Sequence, residues 1–334
     1  MKAVQSGQKA IAKLKSYSAN KKPLIPFFIL VFLIVLFSIF TPKGSFLSKE
    51  TVHVFLTYVP EIALITIGMG ILLLLGDIDL SVGSIYVFSS VIMAGAIKYL
   101  GIGCIPAALL TLAAGVSMGA LNGFLISRTK ITSFIVTLAT MWAYRGIMLV
   151  LVGGGAIAFA PTPLERSILF VFAGNVFGVP MQFIWLLVLC FVLRLVLHHM
   201  PFGNHVFSSG SNKRAAKMMG INVDRIKIAC YAISGFLCAF AGFIQVSRTS
   251  NAIPQSGDLV NLMAIAGAIV GGTSLDGGRG SVLGSLFGAF IMQVLSLGFI
   301  MMGFTEYYTN IVIAIALLAT AIIYNKLDSS KVEG

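Results

Sequence analysis

Apolar runs long enough to cross a bilayer, recurring between short polar breaks from Leu24 to Tyr324, constrain this chain more than anything else in it. A hydrocarbon core of about 30 Å is crossed by about 20 apolar residues wound as an α-helix. Lipid offers the backbone no hydrogen-bond partner, so each run has to satisfy its own N–H and C=O groups. The runs fall at 24–40, 54–75, 85–99, 105–126, 134–152, 183–197, 228–246, 259–269, 282–302 and 308–324. The expectation is an all-α polytopic membrane protein of about ten transmembrane helices, with both termini cytoplasmic. The composition, 58% hydrophobic and 10% charged, excludes an ordinary soluble globular protein, and 334 residues leave no room for a soluble enzyme module beside that many spans.

The net charge of +12 reads as topology rather than as a nucleic-acid surface, because 23 Lys and Arg have to sit in loops and tails. Residues 1–23 form a basic cytoplasmic segment with Lys2, Lys9, Lys13, Lys15, Lys21 and Lys22 and no acid, and Val4, Ile11 and Leu14 would share one face of an interfacial helix. The first run is preceded by a long basic region, and Ser38-Ile39-Phe40 is no small-residue cleavage site, so the run is read as an uncleaved helix. Counted from a cytoplasmic N-terminus, the Arg128/Lys130 loop, the loop 199–227 and the tail 326–334 all fall inside, as the positive-inside rule demands. The opposite face receives the connection 153–180, Gly- and Pro-rich, with only Glu165 and Arg166 charged. The chain thus divides into residues 1–23, a membrane domain 24–325 and the tail. Cys104, Cys190, Cys230 and Cys238 lie in or beside apolar runs without metal-ligand spacing, so small core residues are expected rather than a disulfide framework or a metal site.

The longest polar interruption is Phe202 to Lys227, FGNHVFSSGSNKRAAKMMGINVDRIK. Ser208 to Asn212 supplies turn and N-cap chemistry, Lys213 to Met219 has the residue types of a two-turn helix, and Gly220 is placed for a left-handed cap. Ala215, Ala216, Met218 and Met219 give that helix a small apolar face, while Lys213, Arg214 and Lys217 make the remainder basic. So short a helix needs support from its flanks and from something docked on it; the other reading is a solvated loop drawn to anionic headgroups.

Two runs are interrupted rather than ended. GDIDLSVGS, Gly76 to Ser84, places Asp77 and Asp79 between apolar helices; intramembrane acids are functional candidates, whereas at an interface Asp79 or Ser81 would simply cap the next helix. Gly271 to Ser281 (GGTSLDGGRGS) lacks the phosphate-loop pattern and reads as a tight turn between packed helices. Arg145, within the run 134–152 beside Trp142 and Tyr144, either ties helices together or serves a polar, ring-bearing substrate by hydrogen bonding and stacking. With Asp77 and Asp79 these three complete the substrate-pathway candidates. Gly115, Gly119, Gly123, Gly284, Gly288, Ala289 and Gly298 recur at intervals that let helices approach closely.

Gly76 to Ser84 resembles the GGIDLSVGS signature of the membrane permease subunits of bacterial sugar ABC importers, the ribose, galactose and xylose group. Asn122 to Val150 is similar to the next block of that family, and Asn212 to Lys227 to its cytoplasmic coupling segment. The resemblance runs in order along nearly the whole chain. It implies a non-catalytic permease in the bacterial cytoplasmic (inner) membrane, working as a pair, with a second copy or a paralogue, beneath an extracytoplasmic sugar-binding protein and above a cytoplasmic ATP-binding subunit. That subunit would bind the ATP and Mg; no cofactor is implied for this chain. Residues Lys213, Arg214, Ala215, Ala216, Lys217, Met218, Met219 and Gly220 become the ATPase-coupling segment. Three positions depart from the pattern: Asp77 replaces a usual Gly, Thr132-Ser133 replaces a Pro-containing pair, and Lys213 and Arg214 stand where acids are common, which implies an acidic groove on the partner. Autoinducer-type or nucleoside cargo is an alternative to a monosaccharide. An ion-coupled carrier using Asp77, Asp79 and Arg145 is the alternative of another class. An intramembrane enzyme is disfavoured, since His53, His198, His199 and His205 sit in no metalloprotease motif and no nucleophile elbow or catalytic acid pair is present.

Overall fold

The computed structural model describes residues 24–305 together with residues 308, 311, 314, 315 and 318. The apolar runs fold as helices, as backbone satisfaction in lipid requires. Helix α1 (Leu24–Phe40) is followed by a 3₁₀ turn and by α2 (Lys49–Leu74), which Ser48 caps through the N–H of Thr51. Then come α3 (Val82–Leu100), α4 (Cys104–Thr129) and α5 (Ser133–Val152). The connection that follows contains strand β1 (Ile157–Ala158), helix α6 (Pro163–Ala173) and the hairpin β2 (Asn175–Val176) and β3 (Val179–Pro180). Helix α7 (Met181–His199) leads into α8 (Pro201–Ser211), α9 (Lys213–Met218) and α10 (Val223–Thr249). Strand β4 (Asn251–Ala252) pairs antiparallel with β1, and α11 (Val260–Val270) and α12 (Val282–Met301) complete the described elements.

Seven of these helices, α2, α3, α4, α5, α7, α10 and α12, are long and apolar enough to cross a membrane; α1 is apolar but has 17 residues. The expected span at 259–269 is instead α11, whose 11 residues reach only about 16 Å, half a bilayer. The run 308–324, apart from its five described residues, lies outside the described residues, as do 1–23 and 326–334. The 153–180 connection, Gly- and Pro-rich in sequence, holds α6, started by a capping box in which Thr162 and Glu165 satisfy each other's backbone N–H. Stacking of Phe172 on Trp185, ring centres 5.2 Å apart, fixes α6 against α7.

Helices α2 and α10 are the most enclosed of the spans and α5 and α7 the least, so the former pair forms the middle of the bundle. Close packing there depends on small residues. Gly119 of α4 lies against the backbone of Tyr231 and Gly235 of α10, and Gly288 of α12 against Gly267 of α11, with no room for a Cβ at either. Helix α1 packs outside α12, with Phe37 buried against Phe46, Phe299 and Gly298. The Gly271 to Ser281 segment is the tight turn expected of it, and it docks on the other interruption. Gly278 N donates to Leu74 O at 2.8 Å, and Gly76, with φ +72, faces Asp276.

Candidate functional site

The polar interruption is more helical than its sequence suggested. Ser208 to Ser211 close α8, which buries Gly203, Val206 and Ser209; the Gly and Ser residues are there because α8 packs tightly, Gly210 against Leu74 and Gly278. Capping of α9 falls to Asn212 alone, whose Oδ1 accepts from the N–H of Arg214 and Ala215 at 3.0 Å each. Gly220 closes the helix at φ +80. The anticipated apolar face is divided. Ala216 is buried and anchors α9, whereas Ala215, Met218 and Met219 are exposed with Lys213, Arg214 and Lys217. Met218 is 90% exposed. A helix held by a cap, a left-handed closure and a single buried alanine, presenting two methionines and three cations, is built as contact material.

Behind α9 lies a cavity of about 370 Å³, lined among others by Lys130, Lys213, Lys217, Lys227, Asp77 and Asp224. Lys130 Nζ is 3.0 Å from Asp224 Oδ2, an exposed pair. Lys227 Nζ is 2.6 Å from Asp77 Oδ2, and both side chains are almost wholly enclosed. Asp77 therefore sits beside the α9 segment, neutralised by a cation from α10.

Asp79 serves the turn. Its Oδ1 accepts from the backbone N–H of Ser81 at 2.8 Å and from its hydroxyl at 2.6 Å. Asn122 Nδ2 donates to Ser81 Oγ at 2.8 Å, and Tyr144 Oη donates to Asn122 Oδ1 at 3.1 Å. Thr137 and Ser133 of α5 accept from Leu80 N and Ile78 N. The chain Asp79, Ser81, Asn122, Tyr144 is buried throughout and locks α3, α4 and α5 together; Asp79 closes the turn ahead of α3, and the N-cap residue of α3, Ser81, makes no side-chain capping bond.

Tyr144 does not converge with Trp142 and Arg145. Tyr144 points inward, 6% exposed, while Trp142 is 64% exposed on the other side of α5. Arg145 stands between them and pairs through Nη1 with Asp258 Oδ1, with side-chain exposures of 30% and 53%. Asp258 was missed in the sequence because it lies in an unremarkable polar stretch ahead of α11.

Missed too is a second buried ion pair. Arg248 Nη2 is 2.8 Å from Glu61 Oε1, Tyr86 Oη donates to Glu61 Oε2 at 3.0 Å, and the Arg248 guanidinium lies over the Tyr58 ring at 4.3 Å. The signal was present: Glu61 is a lone acid inside the run 54–75. Between Thr249 and α11 the chain has no α-helix, only β4 and a 3₁₀ turn at Pro254–Gly257. Ser250 and Leu259 take left-handed conformations, φ 50 and 64, and Gly257 packs against Gly83 and Val87 of α3. Among the described residues no three His, Cys, Asp or Glu gather as metal ligands, and the four cysteines are free and buried.

Residues 52–321 match the family described as branched-chain amino acid transport system / permease component. The chain is 36% identical to the ribose import permease protein RbsC of Bacillus subtilis, over 97% of this chain and 98% of that one. It is 31% identical to the fructose import permease protein FrcC of Rhizobium meliloti, over 92% and 86%. It is 32% identical to the xylose transport system permease protein XylH of Escherichia coli, over 86% and 88%. No solved structure gives a significant match. With the spanning helices and similarity along almost its entire length in agreement, this chain belongs to that permease family, among the permeases of sugar-type ABC importers.

Proposed function

We propose that the chain is the transmembrane translocation subunit of an ATP-driven importer for a monosaccharide, with no catalysis of its own. In this reading it has ten membrane segments and cytoplasmic termini in the cytoplasmic membrane, and it works beside a second permease copy. An extracytoplasmic sugar-binding protein delivers the cargo, and a separate cytoplasmic ATP-binding subunit binds ATP and Mg. The observation that carries the reading is α9, a capped basic helix that buries Ala216 while Met218 and Met219 stand out in solvent. Closure of the ATP-binding subunit would push on α9. The movement would pass to α10 through the turn at Gly220 and to α2 through the Asp77–Lys227 pair. Relatives named for ribose, fructose and xylose support a monosaccharide as cargo.

The test is affinity purification of the tagged chain from native membranes in mild detergent, with mass spectrometry and an ATPase assay on the eluate. A near-stoichiometric ATP-binding subunit and ATP hydrolysis support the reading. Ion-gradient-driven uptake by a chain that purifies without an ATPase overturns it in favour of a secondary carrier.

A further inference from the structure

We propose that Trp142, Arg145, Asp258 and Asn261 form a subsite for the ring of a neutral monosaccharide partway across the membrane. The proposal rests on the permease reading and adds to it the residues that meet the cargo.

The argument begins with depth. Arg145 is the thirteenth of the 20 residues of α5, so it stands roughly 10 Å short of the helix end. Its partner Asp258 ends a 3₁₀ turn (Pro254–Gly257) in the irregular segment that descends from Thr249 and ends where α11, only half a bilayer long, begins. Non-helical backbone at membrane depth is tolerated where it is buried in protein or lines a water-filled cavity. One side of this segment meets the first condition. Gly257 is buried against α3, and Ala252 pairs with Ile157, whereas Gln255, Ser256 and Asp258 are exposed. Left-handed Ser250 and Leu259 bracket it, and such backbone strain in non-glycine residues persists where the surroundings impose it. An exposed ion pair and an exposed polar turn at this depth have no stable place against lipid, so the face they share opens on water.

The chemistry on that face selects the ligand class. Arg145 and Asp258 neutralise each other, so a charged solute gains nothing from the pair, yet together they offer guanidinium donors and carboxylate acceptors to a rim of hydroxyls. Asn261 adds an amide whose Nδ2 donates to the weak acceptor Met141 Sδ at 3.7 Å. Trp142 precedes Arg145 by three residues on α5, which puts the two on neighbouring positions of one helix face, and its indole is 64% exposed. A broad aromatic face beside a compact set of donors and acceptors suits a sugar ring, which is apolar across its C–H faces and polar at its edge.

Two measurements on the full importer, reconstituted with its ATP-binding subunit and binding protein, test this. Ser256→Cys is exposed to a charged, hydrophilic thiol reagent, with Val192→Cys on the outer face of α7 as the lipid-facing comparison; modification at 256 and not at 192 is expected. Uptake of D-ribose, D-xylose and D-fructose is then measured for the parent, Trp142→Ala, Trp142→Phe and Arg145→Ala. Trp142→Ala and Arg145→Ala are expected to lose about tenfold of the parent's uptake, with Trp142→Phe restoring most of it, while the ATP-binding subunit still co-purifies. Unmodified Ser256→Cys, or full uptake in both alanine variants, overturns the subsite while leaving the importer standing. A parent that hydrolyses ATP yet takes up none of the three sugars overturns the ligand class. Absence of the ATP-binding subunit from the parent complex overturns the importer reading itself.

Discussion

Lys227 Nζ and Asp77 Oδ2 lie 2.6 Å apart with both side chains almost wholly enclosed, which couples the turn after α2 to the second turn of α10. A buried pair adds little against an apolar replacement, but removal of one partner strands a charge, at a cost of about 3–5 kcal/mol. Lys227→Met should therefore lower the thermal midpoint of the detergent-solubilised protein sharply. Asp77→Gly with Lys227→Met should recover most of the loss, since Gly stands at this position in the signature that Gly76 to Ser84 resembles. Fluorescence-detected size exclusion after heating reads both; a double variant no better than the single one would show that the pair is not what holds this corner.

The basic face of α9 carries a separate expectation. Its fold depends on the Asn212 cap, the left-handed Gly220 and buried Ala216, not on the exposed Lys213, Arg214 and Lys217. Changing the three cations to Glu should leave expression and thermal midpoint unchanged and abolish co-purification of the ATP-binding subunit, because a cationic helix calls for an acidic groove. Retained association in the triple variant would remove α9 from the interface.

Membrane architecture was legible in this chain because span length is set by bilayer thickness, and eight of the ten expected runs coincide with apolar helices of 17 residues or more. The small-residue intervals were legible for a similar reason: Gly115, Gly119 and Gly123 meet α10 as closely as their spacing implied. What escaped was pairing across the bundle. Asp258 and Glu61 become meaningful only when the fold brings them to Arg145 and Arg248, 113 and 187 residues away in sequence. Local pattern also overrated the Gly-Ser content of α8, which tertiary packing against Leu74 and Gly278 turns into a helix. Trp142 and Tyr144, neighbours in sequence, part company because positions two apart on a helix point in different directions.

Asn122 is the hinge of a buried polar chain, donating to Ser81 Oγ at 2.8 Å and accepting from Tyr144 Oη at 3.1 Å. Asn122→Leu removes both contacts and leaves two enclosed hydroxyls to find new partners, at a cost of about 1–3 kcal/mol for each that fails. Tyr144→Phe deletes one end of the chain, where Tyr144 Oη also reaches Met118 O at 3.1 Å, and should cost about 1 kcal/mol. The ordering of thermal midpoints, parent above Tyr144→Phe above Asn122→Leu, is the expected result; equal midpoints for all three would mean that the chain does not stabilise the turn.

Arg248 holds the point where α10 stops and the segment ahead of α11 begins, through two hydrogen bonds to Glu61 Oε1, from Nε at 3.3 Å and Nη2 at 2.8 Å, and its place over the Tyr58 ring. Lys in its place keeps the charge but loses both the fork and the flat stacking surface. Arg248→Lys should therefore keep the chain folded yet loosen the segment ahead of α11, visible as faster amide exchange over residues 250–259 with little change in α2 or α10. Arg248→Met, which leaves Glu61 buried without its cation, should destabilise the whole bundle by about 3–5 kcal/mol. Exchange that rises equally everywhere in the Lys variant would instead make Arg248 a general tie of the core, with no special hold on the segment that carries Asp258.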